Sequence, residues 1–125
     1  MIDGQTRKII CVAECAGATH DLELFRQSGV HLLDDILLVG DKGYQGISCI
    51  HAFSLTPFKK PRGGKLTDLQ KLFNRNLSKY RIAIEHVNLT IKRFKIFQHR
   101  YRNKQRKHLL RFSIVCGICN FELQF

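Results

Sequence analysis

LTDLQKLFNRNLSKYRIAIEHVNLTIKRFKIFQ, residues 66–98, is the stretch from which the rest of the chain can be read. Phe73, Leu77, Tyr80, Ile84, Val87, Ile91 and Phe94 recur at alternating steps of four and three, which predicts one long amphipathic helix with a single apolar stripe. At about 100° per residue, Arg81, Glu85 and Lys92 fall in one narrow strip roughly 100° from the centre of that stripe, flanked by Ser78 and Asn88. Glu85 is then a lone acid on a basic helix, at the border of the core. Two readings stand: a solvated surface charge, which the helix alone favours, or a functional acid set among bases.

Working outward, 125 residues suffice for one domain with a hydrophobic core. The net charge of +11 is unevenly spread. Residues 1–41 hold three Lys/Arg against seven Asp/Glu, whereas residues 42–125 hold eighteen against three. A basic surface on that scale calls for a polyanion, and nucleic acid fits better than membrane because no apolar run approaches the ~20 residues that span a bilayer. No signal peptide is evident at the N-terminus. Five cysteines without framework spacing point to a reducing, cytoplasmic setting. Cys116-Gly117-Ile118-Cys119 has the spacing of a redox or half-zinc motif but lies in an apolar run without a second pair, so it reads as two small core residues three apart on a helix. Cys11 and Cys15 read as strand residues.

In chain order, Asp3-Gly4 before the β-rich run Lys8–Ala13 reads as a hairpin turn, although only Met1 and Ile2 precede it. Thr19–Ser28 reads as a short helix capped by Thr19 and ended by Gly29, with His20-Asp21 in its acidic first turn. Asp35–Val39 reads as a buried parallel strand. It runs into Gly40-Asp41-Lys42-Gly43-Tyr44, so Asp41 stands at the carboxyl end of a sheet, where open α/β folds place ligands and catalytic groups; a turn aspartate is the plainer alternative. Ile47–Phe53 reads as a short helix, Leu55–Lys60 as an edge strand limited by Pro57 and Pro61, and residues 61–65 as a flexible basic loop before a cap at Thr67. His99–His108, rich in Arg and Lys around Tyr101, is either a phosphate-contact surface or a solvated connector. Leu109–Phe121 closes the chain as an apolar helix.

The segments GATHDLELFRQSG (17–29), LLVGDKGYQGI (37–47), TPFKKPRGGKLT (56–67), FNRNLSKYRIAIEHVNLTIKRFKIFQHRYRN (73–103) and ICNFEL (118–123), in that order, resemble the catalytic domain of DDE transposases from insertion sequences, and more narrowly the C-terminal part of the IS4-like and DDE-superfamily-endonuclease group. The resemblance implies an α/β, ribonuclease H-like fold with three carboxylates holding two Mg2+ or Mn2+ ions, and an activity of metal-dependent DNA strand cleavage and transfer. The family's second carboxylate, in a D-x-G-Y/F setting, matches Asp41. The third, in a pattern of Arg, three residues, Glu, six residues, Lys, matches Arg81, Glu85 and Lys92. Asp41 and Glu85 are therefore the implied catalytic metal ligands, and Arg81, Lys92, Arg93, Arg100 and Arg102 the implied DNA contacts. Two metals ~3.5–4 Å apart would serve the attacking and leaving oxygens of a phosphodiester.

Two departures accompany the match. Ser78 stands where the family carries a Tyr three positions before the Arg. The first catalytic aspartate belongs on a strand upstream of the opening hairpin, and Asp3 is a turn residue in the wrong place to replace it. The expectation is thus a single partial catalytic domain over residues 1–125, lacking the first central strand and inactive alone, whose enzyme status is open. Loss of that strand would leave Ile36–Val39 exposed. The expected partners are DNA and a missing N-terminal half or a full-length transposase, with no membrane. The alternative is a non-catalytic basic DNA-binding remnant or subunit.

Overall fold

A computed structural model describes residues 1–15, 17–98 and 107–123. Among the described residues the chain forms helices α1 (Asp21–Gln27), α2 (Asp68–Lys92), α3 (Lys95–Gln98) and α4 (His108–Glu122), and two short strands, β1 (Leu38–Val39) and β2 (Ser54–Leu55). It divides into two compact units: Met1–Glu14 with Ile82–Phe125, and Cys15–Arg81. Each is described by itself.

In the Cys15–Arg81 unit, β1 and β2 pair in parallel, Leu38 beside Ser54 and Val39 beside Leu55. The expected strand over 35–39 is thus parallel but short. It is also not buried, since Ile36 and Leu37 are each 43% exposed. Among the described residues β1 has one strand neighbour, so its other edge and the side chains leading into it meet no sheet. His51, itself buried, fixes the approach to β1 by donating from Nε2 to the Ile36 carbonyl at 2.6 Å. The expected helix over 47–53 is a single 3-10 turn, Ile47–Cys49, that buries Ile47. The strand expected over 55–60 stops at Leu55, ahead of Pro57, which has no N–H to give a ladder.

Helix α1 starts later than expected. Its cap is His20 rather than Thr19, with Nδ1 accepting from the Leu22 N–H at 3.3 Å, and Gly29 ends the turn at φ +65°. The cap expected at Thr67 is a reciprocal box: Thr67 Oγ1 accepts from Gln70 N–H at 3.2 Å while Gln70 Oε1 accepts from Thr67 N–H at 3.0 Å.

The stripe on α2 is buried near its ends and open in its middle. Leu77, Val87 and Ile91 are buried, whereas Tyr80 is 62% and Ile84 37% exposed. One compact unit gives way to the other at Arg81–Ile82, inside that open stretch. The single helix expected over 66–98 breaks after Lys92. Arg93 and Phe94 donate three residues back, to Thr90 and Ile91, which tightens the last turn, and Gln98 Nε2 takes the Lys92 carbonyl at 2.8 Å.

The other unit is built on Val87, Ile91, Val115, Cys116 and Cys119, with Ile2, Ile9, Val12, Phe94, Phe97 and Phe112 packed against them. Cys116 and Cys119 are thus core residues, and burial raises both thiols above their ordinary range. The opening hairpin is present but minimal, one antiparallel bridge between Ile2 and Ile9 with no regular strand over 8–13. Its turn is closed by Asp3 Oδ1, which accepts from Gln5 N–H, Thr6 N–H and Thr6 Oγ1 and is held below the usual carboxylate range by those bonds. The far side of the hairpin has a side chain for a partner: Asn120 Oδ1 accepts from Ile9 N–H at 2.7 Å and Asn120 Nδ2 donates to the Ile9 carbonyl at 2.9 Å. An amide has the donor and acceptor that a neighbouring strand would offer. No helix among the described residues is long and apolar enough to cross a membrane.

Candidate functional site

Asp41 follows β1 after one residue, Gly40. Its Oδ1 accepts from the Gly43 N–H at 2.7 Å, and Tyr44 N–H returns to the Asp41 carbonyl at 3.1 Å, which closes a 3-10 turn over Lys42–Tyr44. Such Asx turns suit an aspartate after a strand, and this is the turn reading of Asp41. The turn is pressed against the end of β2. A Cβ on Gly40 would stand 2.9 Å from Tyr44 Cβ and 3.4 Å from Thr56 Cγ2, and Gln45 Nε2 donates to the Pro57 carbonyl at 2.7 Å. Because β1 and β2 run parallel, the Asp41 turn and the segment leaving β2 at Thr56–Pro57 emerge from the same end of the sheet.

A second carboxylate meets this turn. A Cβ on Gly43 would overlap Asp21 Oδ2 and stand 3.1 Å from both Asp21 Cγ and Asp41 Oδ1, so Asp21 Cγ lies no more than 6.2 Å from Asp41 Oδ1. Glycine at 43 is what admits so close an approach. Tyr44, half-buried, registers both acids: burial first, then the Asp21 and Asp41 charges, then Cys15, raise its phenol above its ordinary value. Sequence reasoning placed Asp21 only in a helix turn. The available signal was the segment GATHD, which like GDKGY lies within the stretches that resemble the family.

Arg81, Glu85 and Lys92 are all exposed on α2, so Glu85 does not sit at a core border. Within one continuous helix, Arg81 and Glu85 are one turn apart, about 6 Å along the axis, and Lys92 is two turns beyond Glu85. Asp41 belongs to the Cys15–Arg81 unit and Glu85 to the other. Arg93 is engaged within its own unit. Its guanidinium pairs with Glu122, which raises its already high pKa, and lies 5.7 Å from the Phe94 ring centre. Arg100 and Arg102, with most of the basic run, lie outside the described residues. Among the described residues no three His, Cys, Asp or Glu gather closely enough to hold a metal ion.

Comparison with known proteins gives this arrangement its context. The chain matches the family model of the DDE superfamily endonucleases over residues 1–120. It is 46% identical over 123 residues to a protein of Microchaete diplosiphon described as a probable transposase for insertion sequence element IS702. That alignment covers 98% of this chain and 45% of the relative, so the chain spans less than half the relative's length. No solved structure matches. The matched span includes the Asp41 turn and Arg81, Glu85 and Lys92, and the chain belongs to the DDE superfamily endonucleases.

Proposed function

We propose that the chain is part of an insertion-sequence transposase whose activity is metal-dependent DNA strand cleavage and transfer, and that it is inactive alone. The observation that carries this reading is the placement of Asp41 on a tight turn at the carboxyl end of a parallel strand pair, within a chain of this family. In this reading residues 1–125 are a single partial catalytic domain of ribonuclease H-like type. The exposed approach to β1 supports the reading that a further strand pairs beside it in the whole protein. The partners are DNA and the more than half of the relative's length that the chain does not span, supplied as a separate polypeptide or by a full-length transposase. The setting is cytoplasmic.

Asp41 and Glu85 would hold Mg2+ or Mn2+. Carboxylate oxygens are the donors such hard ions take, and Asp41 spends only Oδ1 on its own turn, so the donor chemistry fits. Bound there, the ions would activate the attacking oxygen and stabilise the leaving one. The protein's own side chains position the substrate. Arg81 and Lys92 flank Glu85 along α2, and a polyanionic strand laid on that face brings its phosphates to the acid.

A second reading has its own support. The excess of eighteen Lys/Arg over three Asp/Glu in residues 42–125 supports a basic DNA-binding subunit without catalysis. Replacing Glu85 by Gln separates the two. Under the first, Glu85→Gln abolishes Mg2+-dependent cleavage in the reconstituted protein while salt-sensitive DNA binding is kept or slightly tightened. If Glu85→Gln weakened DNA binding as much as Lys92→Ala does, Glu85 would not be a metal ligand.

A further inference from the structure

Between Asp41 and Asp68 the chain carries Lys42, Lys59, Lys60, Arg62 and Lys65 and no acid. Four of these five lie between β2 and α2, and all four are exposed. The sequence reads residues 55–60 as an edge strand and 61–65 as a flexible loop, but the stretch between β2 and α2 is a loop tied down at three places. At its start, Asn74 on α2 grips the backbone of Phe58, accepting from the N–H at 2.8 Å and donating to the carbonyl at 3.1 Å, and the Phe58 and Phe73 rings meet edge to face at 5.2 Å. In the middle, Gly64 N–H bonds the Pro61 carbonyl at 3.2 Å with Gly63 at φ +74°, a tight turn that carries Arg62 at its corner. At its end stands the Thr67–Gln70 capping box. Among the described residues no carboxylate is recorded with any of the four cations.

A connector with no function beyond reach needs neither this charge nor these ties. The loop leaves β2 at the end of the sheet that carries the Asp41 turn, and Gln45, one residue past that turn, is bonded to Pro57 at the loop's root. We infer that Lys59, Lys60, Arg62 and Lys65 form a preorganised contact for the phosphates of duplex DNA, holding the strand beside the Asp41 turn. This inference rests on the DNA-cleaving reading above and adds a surface to it, separate from the α2 strip. Preorganisation matters because a held loop does not lose its own freedom on binding, so each cation returns more of its interaction as affinity.

The test is the full chain binding a fluorescein-labelled duplex of about 20 base pairs, followed by anisotropy over a range of NaCl concentrations, for wild type, Lys59→Ala/Lys60→Ala/Arg62→Ala, and Lys92→Ala. Each phosphate contact contributes about 0.9 to the slope of log affinity against log salt, so the triple variant loses about 2–3 from the slope and about tenfold or more in affinity at low salt. The replaced side chains are exposed, so its thermal midpoint stays near wild type. A triple variant with wild-type slope and affinity overturns this surface while Lys92→Ala still reports on the α2 strip. Wild-type protein without salt-dependent DNA binding would overturn the DNA reading and this inference together.

Discussion

Asn74→Ala removes no charge and touches no proposed ligand, yet it releases the start of the basic loop. The asparagine amide supplies two hydrogen bonds to the Phe58 backbone. A net contribution of about 0.5–1 kcal/mol each, at the low end because water can replace them at this exposed site, gives about 1–2 kcal/mol for the clamp. Two effects follow. The thermal midpoint drops by about 3–5 °C per kcal/mol for a chain of this size, read by circular dichroism. DNA affinity falls as well, because the freed loop must be reordered on binding. That penalty cannot exceed what the clamp supplied, which bounds the loss at about 5–30-fold. The salt slope stays at the wild-type value, since every cation remains. Anisotropy titrations at several salt concentrations, beside the melt, measure all three quantities. A lowered midpoint with unchanged affinity would refute the claim that order in this loop serves binding, and a changed slope would show that Asn74 acts by some route other than holding it.

Other outcomes test the parts separately. Gly40→Ala drives a methyl into Tyr44 Cβ, a rigid neighbour, and should cost about 1–3 kcal/mol in denaturant unfolding; an unaffected variant would mean that the Asp41 turn is looser than its contacts imply. Tyr44 ionises above its ordinary value of 10, so above that pH the native state keeps a proton the unfolded chain has lost, and stability falls as pH rises through the native value. Asp21→Asn should lower the Tyr44 midpoint in an absorbance titration with Tyr80 and Tyr101 replaced by Phe, and an unmoved midpoint would remove Asp21 from the turn. Asn120→Ala leaves the Ile9 N–H and carbonyl without their amide and should lower stability by about 1–3 kcal/mol, whereas a shift of a few tenths would mean that water replaces Asn120 at no cost.

What could be read from residues alone was what depends on local periodicity and turn chemistry. The four-three spacing of α2, the cap at Thr67, the parallel character of β1 and the buried Cys116 and Cys119 all follow from patterns a few residues long. Errors arose where tertiary partners decide. The stripe on α2 is apolar throughout, but nothing local says that Tyr80 and Ile84 lie where one compact unit gives way to another. The run Ile36–Val39 has the composition of a buried strand, and its exposure reflects how many strands stand beside it. Three side-chain anchors, Asn74 on Phe58, Asn120 on Ile9 and Gln45 on Pro57, join residues 16, 111 and 12 positions apart, and no periodicity reports them. The close approach of Asp21 to the Asp41 turn, which a Cβ at Gly43 would obstruct, is of the same kind.

The central claim is that Asp41 and Glu85 are the carboxylates of a DNA strand-cleaving site completed by polypeptide beyond this chain. The most direct measurement combines the chain with the part of the IS702 relative that the alignment leaves out, and follows cleavage of labelled duplex DNA carrying a transposon end as Mg2+ is added. The account predicts Mg2+-dependent cleavage that is lost in Asp41→Asn and in Glu85→Gln with DNA binding retained. Cleavage that survives either substitution, or wild-type protein that does not cleave, would contradict it.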